Sequence, residues 1–539
     1  MINKEKIYLF RKYNLACRTI TQYFTDTLSN TSREYSNLIY FLIFILAGTL
    51  LGCVATRPVI SHSVISPQVI SHSVIPPPDP LKQLQNNINS VFSDSLFMPA
   101  HASIKIVSLD SGNVLYERES KALMNPASNV KLITSAAALS MLDTDYQFKT
   151  SVFIDDNATD GDVAQDIYLK GYGDPNLINS DLDSLAFAVR RFGISAVENN
   201  IIVDDSFFDD NYWGDGWPWD DESDPDAPYI NALSVNKNCI RVNVITDSKK
   251  ILVSLEPNTD FVTVLNRAVI VRDSIRMPLR IRRLCLNDAN TIVVEGDIFP
   301  FSRVTQKLSL RHPEFYTGTL FKESLRRVGV SVSGDVVSGV VPNGFHEIAQ
   351  HLQPVNSVIT IMDKQSDNLS AENTLKVLGG LKNNIPGSAK YGASIENKFL
   401  SGLGMDTTKF FIVDGSGNSR HNLISADQLV QFLVAMKNQP RLFPIFYNSL
   451  PIAGIDGTLA NRMSDYPVAG NLRAKTGTLN GVSCLSGYVR TRDGEMLAFS
   501  MLMQNFITPA FDYRQAQDRI GALLAGFSRN MITQKGSAK

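Results

Sequence analysis

Hydrophobic and polar positions follow different patterns at the two ends of the chain and in its middle. Near the start, the pattern predicts an amphipathic helix over 81–93 and two strands, 102–109 and 114–120, joined by a polar turn. Near the end, it predicts three short strands and an amphipathic helix, at 472–479, 483–490, 496–503 and 513–527. Because each end supplies sheet and helix, we expect one domain, 81–144 and 351–539, closed by both ends of the chain.

The middle of the chain, 145–350, is predicted to be an insertion into that domain. It is rich in Val/Ile runs separated by Gly and Asp turns, at 165–170, 200–203, 251–255 and 291–295. The expected fold class is therefore α/β in the broad sense (α+β). A mostly antiparallel sheet of about five strands is flanked by helices, and a β-rich insertion forms one or two small domains.

The composition of the chain excludes some classes of protein. The chain has 539 residues, 44% of them hydrophobic, and a formal net charge of −2. Such a chain folds into a globular protein, and its charge argues against nucleic acid as a partner. One stretch, 204–226, holds ten acidic residues, no Lys or Arg, and all three Trp. We expect it to form a solvated loop. Its three tryptophans suggest that one face of this loop packs against the protein or binds a ligand.

The amino-terminal segment predicts export. Residues 1–37 are polar with a positive excess, 38–51 are apolar, and Gly52-Cys53 follows. This is the pattern of a signal peptide over 1–53 whose end looks like a bacterial lipobox, with Cys53 as the lipidation site. An ordinary signal peptide and an uncleaved anchor stay open as alternatives. A ten-residue repeat rich in Pro and Ser then predicts an extended tether over 54–80. We therefore expect a periplasmic protein held to a membrane through a lipid on Cys53.

A second predicted helix begins near Asn125-Pro126 and carries the first candidate for chemistry. Ser128 and Lys131 are three residues apart in its first turn, so both side chains emerge from one face. There the helix dipole disfavours an ammonium and favours an oxyanion, so Lys131 can activate Ser128 without an imidazole. Taken alone, the spacing also fits a capped surface helix.

Two further motifs follow in a fixed order. Ser366-Asp367-Asn368 supplies a hydroxyl that can relay a proton and an amide that can hold a carbonyl. Lys475-Thr476-Gly477-Thr478 supplies a cation, hydroxyls and a glycine on a strand that can receive an extended peptide along its edge. Three weak motifs in this order make one strong signal.

With these residues the chain resembles the penicillin-recognising serine enzymes, and within them the penicillin-binding protein 4-like D-alanyl-D-alanine carboxypeptidases and endopeptidases. The resemblance spans about 85–530. Beyond the three motifs it rests on Pro126-Ala127 before Ser128 and on segments that begin at Gly173, Val203, Gly216, Ala232, Asp414 and Leu450. It implies a β-lactamase/transpeptidase-like catalytic domain with an insertion after the first motif. Asn176 and Asn418 depart from the family's usual pattern.

The resemblance also implies roles. Ser128 would be the acylated nucleophile and Lys131 its base, while Ser366 would pass the proton to the leaving D-alanine and Asn368 would orient the peptide carbonyl. Lys475, Thr476, Gly477 and Thr478 would bind the terminal carboxylate and line the site. Asp174 and Arg420 would take the two ends of a diaminopimelate-type side chain. Peptidoglycan stem peptides would be the substrates and β-lactams the inhibitors.

Two alternatives from other classes were weighed. A β-lactamase is disfavoured because no Glu in the chain has an Asn four residues later, the pattern of class A enzymes. A catalytically silent cell-wall binding protein is disfavoured because every motif residue is present. The proposed acyl transfer implies no cofactor. We expect no zinc either, because His346 and His351 are five residues apart, whereas a helical zinc motif needs four. A linker helix or loop is expected there.

Overall fold

The computed structural model describes residues 79–285, 289–381, 385–465 and 467–530. The predictions for the signal peptide, for Cys53 and for almost all of the tether lie outside these residues. Within the described ranges, no helix combines the length and the apolar character needed to cross a membrane.

Both ends of the chain build one antiparallel sheet, as predicted. Its strands, numbered in chain order with those of the insertion, are β1 (His101–Ser108), β2 (Val114–Arg118), β18 (Arg473–Leu479), β19 (Val482–Arg490) and β20 (Met496–Gln504). Their order is β18-β19-β20-β1-β2, so β20 from the end of the chain pairs with β1 from its start. This strand order joins the two ends of the chain in one domain and leaves β18 at an edge of the sheet.

The two faces of this sheet pack against different helices. Alternate residues of β19 and β20 enter separate cores, with Leu485 and Phe499 on one face and Tyr488 and Leu502 on the other. Helices α1 (Pro80–Val91) and α10 (Ala510–Gly526) cover the first face. Because both faces are covered, every residue of β19 and β20 except the last one of each strand is buried.

A helical layer covers the second face. Its helices are α2 (Lys131–Met141), α5 (Val355–Lys364), α6 (Asn368–Leu381), α7 (Ala389–Gly402), α8 (Ala426–Lys437) and α9 (Phe443–Ser449). Helix α2 is central, since every residue from Lys131 to Leu139 is buried. Three consecutive alanines, 136–138, let neighbouring helices pack closely around it.

In its described residues, 145–285 and 289–350, the insertion forms four sheets of three to five strands, the last of which extends to Pro354. Its strands are β3 (Gln147–Ile154), β4 (Thr159–Asp160), β5 (Val163–Ala164), β6 (Ile167–Gly171), β7 (Ala196–Val197), β8 (Ile201–Asp204), β9 (Cys239–Thr246), β10 (Ile251–Glu256), β11 (Thr263–Ile270), β12 (Arg280–Arg283), β13 (Thr291–Ile298), β14 (Arg303–Ser309), β15 (Ser331–Val332), β16 (Val336–Ser338) and β17 (His346–Pro354). Two helices, α3 (Asn179–Phe192) and α4 (Pro313–Arg327), pack with these sheets around one shared core.

The two ends of the insertion meet in one sheet. Strand β17 pairs antiparallel with β3, from His346 opposite Ile154 to Pro354 opposite Gln147. The expectation of a linker helix or loop around His346 and His351 was therefore wrong. The segment is a strand because its partner β3 supplies the hydrogen bonds that local sequence could not reveal. It crosses position 350, where we expected the insertion to end.

Candidate active site

Ser128 lies in a tight turn at the entrance to helix α2. The backbone N–H of Ala127 donates to Asn125 Oδ1 at 2.9 Å, and a 3-10 turn, Ala127–Val130, precedes the α-helix. The predicted helix therefore begins with a 3-10 turn rather than at Pro126. Ala127 has φ +46°, an uncommon conformation for a residue other than glycine. This bend places half-buried Ser128 at the surface of the cleft.

Lys131 is fully buried beneath Ser128. Its Nζ lies 3.2 Å from Ser128 Oγ and donates to Asn368 Oδ1 at 2.5 Å and to the Ser416 carbonyl at 2.6 Å. Burial lowers the pKa of Lys131 to about 8, against the opposing charges of Asp414 and Glu372. About one tenth of this amine is therefore neutral at pH 7, and this neutral form can accept the proton of Ser128.

The second and third motifs meet on the other side of the cleft. Lys475 Nζ donates to Ser366 Oγ at 2.8 Å and to the Thr476 carbonyl at 2.9 Å. Burial, and then the charge of Lys131, hold the pKa of Lys475 well below its usual range. Ser366 has φ +59°, so its turn is held in a strained conformation just before helix α6.

Strand β18 approaches the Ser128 turn closely because residue 477 has no side chain. A Cβ at Gly477 would lie 2.8 Å from Asn129 Nδ2 and 2.9 Å from the Pro126 carbonyl. Beside it, Thr476 Oγ1 donates to Thr458 Oγ1 at 2.7 Å, and the exposed Thr478 lines the cleft. The glycine thus sets the distance between the strand and the serine.

These groups face one cleft of about 430 Å³. It is lined by Ser128, Asp221, Asp224, Asp226, Ala227, Gln365, Ser366, Asn368, Asn418, Arg420, Thr458, Thr476, Thr478, Leu479 and Asn480. The structure thus brings the three motifs and Arg420 together. Arg420 is exposed, and its guanidinium donates to the Asn480 carbonyl at 3.0 Å.

Asp174 does not line this cleft. Its side chain is fully buried, accepts a hydrogen bond from the backbone of Asn176 at 2.9 Å and lies 3.6 Å from His351 Nε2. The acidic groups at the cleft are Asp221, Asp224 and Asp226 instead. They belong to the stretch expected as a solvated loop, which turns one side toward the catalytic groups.

Several buried acids around the lysines were missed by sequence reasoning. Asp363 Oδ2 accepts from Ser449 Oγ at 2.6 Å, and burial raises the pKa of Asp363 to about 7. Glu372 Oε1 accepts from the backbone N–H groups of Gly415 and Ser416 at 3.1 and 2.8 Å, which fixes the loop whose carbonyl holds Lys131. No short motif marks Asp363 or Glu372.

The His, Cys, Asp and Glu side chains of the described residues form no metal site. In 79–285, 289–381, 385–465 and 467–530, no group of three or more His, Cys, Asp or Glu side chains is arranged to hold a metal ion. His346 contacts Asp156, whereas His351 faces Asp174 and Asp181.

The chain has the penicillin-recognising fold. A solved structure with the same fold is penicillin-binding protein 4 (dacB) from Haemophilus influenzae, with a TM-score of 0.73 and 22% identity, covering 81% of this chain and 99% of that one. The same protein complexed with a β-lactam gives a TM-score of 0.68 at 22% identity, covering 80% and 98%.

Sequence comparison gives the family. Residues 84–526 match the D-Ala-D-Ala carboxypeptidase 3 (S13) family, and the chain belongs to it. A curated relative, the D-alanyl-D-alanine carboxypeptidase of Actinomadura sp. (strain R39), is 33% identical over 468 residues, which cover 83% of this chain and 85% of the relative. The protein is therefore a serine peptidase, and the resemblance inferred from the motifs is confirmed.

Proposed function

We propose that this protein removes the terminal D-alanine from peptidoglycan stem peptides through an acyl-enzyme on Ser128. The observation that carries the proposal is the contact of Lys131 Nζ with both Ser128 Oγ and Asn368 Oδ1 at the floor of the cleft. An amine with a lowered pKa beside a hydroxyl is the arrangement that activates a serine without histidine.

The proposed reaction has an acylation step and a hydrolysis step. Ser128 Oγ attacks the carbonyl of the D-Ala-D-Ala bond while Lys131 takes its proton, and Asn368 orients the peptide. The C–N bond breaks, and Ser366, held by Lys475, relays the proton from Lys131 to the leaving amine, so Lys131 is neutral again and Ser366 keeps its hydroxyl. Water then hydrolyses the ester and regenerates Ser128. The backbone N–H groups of residues 128 and 478 would stabilise the oxyanion.

Substrate would lie along the edge of β18. Thr476, Thr478 and Lys475 would bind the terminal carboxylate, since the two threonines line the cleft at that edge and Lys475 Nζ contacts the Thr476 carbonyl. A β-lactam would enter the same place and leave a slowly hydrolysed ester on Ser128. The β-lactam complex of the H. influenzae protein supports this part of the proposal.

The side chain of the third stem residue would meet Arg420 on one side and Asp221, Asp224 or Asp226 on the other. This placement supports a substrate side chain with a carboxylate and an ammonium, as in diaminopimelate. Asp174, expected in that role, is buried, and its carboxylate accepts from the backbone N–H of Asn176, so it would act only indirectly. If cross-links between such residues also fit the cleft, the same steps would give endopeptidase activity.

We further propose that the protein is exported and anchored by a lipid on Cys53, with 54–80 as a tether. The apolar run and Gly52-Cys53 support this. Replacing Cys53 by Ser should release the protein from the membrane fraction and abolish labelling by a radioactive fatty acid. Equal labelling of the variant would contradict the anchor.

Mass spectrometry of muropeptides before and after incubation tests the reaction. The wild-type protein should convert pentapeptides to tetrapeptides with release of D-alanine, and Ser128→Ala should leave the pattern unchanged. Loss of cross-linked dimers would add endopeptidase activity. An unchanged pattern with the wild-type protein would contradict the proposal.

A further inference from the structure

A lysine of the insertion contacts the turn that carries the second motif. Lys237 Nζ donates to Asp367 Oδ1 at 3.0 Å, to Ser370 Oγ at 3.1 Å and to Asn176 Oδ1. All three donors of this ammonium are therefore satisfied by two neighbouring structural units. Lys237 and Asn176 lie in the insertion, whereas Asp367 and Ser370 lie in the catalytic domain.

The backbone that presents Lys237 is strained. Asn236, Lys237 and Asn238 have φ of +52°, +62° and +53°, so three consecutive residues other than glycine are left-handed. Hydrogen bonds hold this turn, since Asn236 N donates to the Leu177 carbonyl and Asn238 Nδ2 donates to the Tyr229 carbonyl. Strain that the surroundings hold in this way is typical of functional positions.

The Ser366–Asn368 turn, which Lys237 contacts through Asp367, is strained too, and its geometry matters for the reaction. Ser366 has φ +59° and contacts Lys475, while Asn368 is the first residue of α6 and contacts Lys131. Asp367 stands between them, and its Oδ1 accepts from the backbone N–H of Ser370 at 2.6 Å, which caps α6. Any shift of Asp367 therefore moves Ser366 and Asn368 together.

We propose that Lys237, supported by Asn176, is a positioning residue that fixes the Ser366–Asn368 turn through Asp367, so that the insertion completes the active site. The proposal rests on the acyl-transfer function proposed above. The charge of Lys237 and the hydrogen bonds of Ser370 outweigh burial and keep the pKa of Asp367 below its usual range, in agreement with a lasting ion pair.

The test compares variants in acylation by a fluorescent penicillin and in thermal melting. Lys237→Met should lower the acylation rate constant at saturating penicillin by about 10- to 100-fold, because a displacement near 1 Å is enough for such a loss. Lys237→Arg, which keeps the charge, should stay within about 3-fold, and Asn176→Ala should fall between the two.

Two features separate positioning from a merely structural role. The double variant Lys237→Met/Asp367→Asn should acylate at least about 5-fold faster than Lys237→Met alone. The second substitution removes the carboxylate of Asp367, which loses its cationic partner once Lys237 is replaced. Lys307→Met is the matched control: Lys307 is exposed, lines the same neighbouring cavity as Lys237, and forms no hydrogen bond with residues 366–368 in the described part of the chain. It should acylate at the wild-type rate.

A crystal structure of Lys237→Met gives a readout that does not depend on activity. Ser366 should leave its left-handed conformation, or Asn368 Oδ1 should move by about 1 Å from Lys131 Nζ. An unchanged turn, or acylation within about 2-fold of wild type in the folded variant, would overturn the proposal. If wild-type protein took up no penicillin, the proposed function would fail, and the crystallographic result would still decide the role of Lys237.

Discussion

The indole Nε1 of Trp217 donates to Asp414 Oδ2 at 3.0 Å, and both side chains are buried. Asp414 also accepts from the backbone N–H groups of Gly417 and Ser419, at 3.0 and 2.7 Å. One tryptophan of the insertion is thereby tied to the loop whose Ser416 carbonyl holds the proposed catalytic lysine. The insertion thus contacts the catalytic groups from more than one direction.

Replacing Trp217 by Phe should remove this hydrogen bond while keeping most of the apolar packing. We expect a loss of about 1–3 kcal/mol in the free energy of unfolding, because a buried charged acceptor loses one of its donors. Chemical denaturation measures the loss. Trp219→Phe is the control, since Trp219 is 84% exposed and its replacement should change stability by less than about 0.5 kcal/mol. Equal stability of the two variants would contradict the role of the contact.

The rate of acylation should rise with pH through the pKa of Lys131. Below a pKa of about 8 the amine is protonated and cannot accept the proton of Ser128, so the rate falls as the pH falls. The second-order rate constant for a fluorescent penicillin, measured from pH 6 to 9, should drop about 10-fold per pH unit well below the pKa. In Lys131→Ala, the acylation rate constant should be at least about 100-fold lower than in the wild type at every pH, while the variant remains folded. A flat profile, or normal acylation by this variant, would exclude Lys131 as the base.

Replacing Gly477 by Ala should separate strand β18 from the Ser128 turn. The new Cβ would lie 2.8 Å from Asn129 Nδ2, so one of the two elements must shift. We expect the rate of D-alanine release to fall by about 100-fold. Gly402→Ala is the matched control, since its new Cβ would have no atom of the described residues within 4 Å and its φ is not positive. Similar activity in both variants would show that the close approach is unimportant.

Much of this architecture could be predicted because the decisive signals are local. Apolar runs such as 496–503 marked the central strands, and the Ser128–Lys131 spacing placed both groups in one turn. The strand His346–Pro354 was missed because its stability comes from β3, almost 200 residues earlier in the chain. Asp174 was expected at the cleft because a sequence match does not show whether a side chain is buried or exposed. The structure buries that side chain completely. The contacts of Lys237 and Trp217 depend on how the insertion packs against the catalytic domain, which no short pattern encodes.

Glu396 of α7 should make stability depend on pH. Burial raises its pKa from 4.5 to about 8, and its Oε1 has no hydrogen-bond partner among the residues that the structure describes. Between these two values the unfolded chain ionises this group while the folded chain keeps it protonated, so stability falls as the pH rises. Glu396→Gln should therefore raise the melting temperature at pH 8 and change it little near pH 4.5. An equal shift at both pH values would show that its ionisation is not involved.

The most direct test of the account is intact-mass spectrometry after incubation with benzylpenicillin, followed by peptide mapping. The wild-type protein should gain the mass of one penicillin molecule on the peptide that contains Ser128, and Ser128→Ala should gain none. An unmodified wild-type protein, or an adduct that persists in Ser128→Ala, would contradict the proposal that Ser128 is the nucleophile.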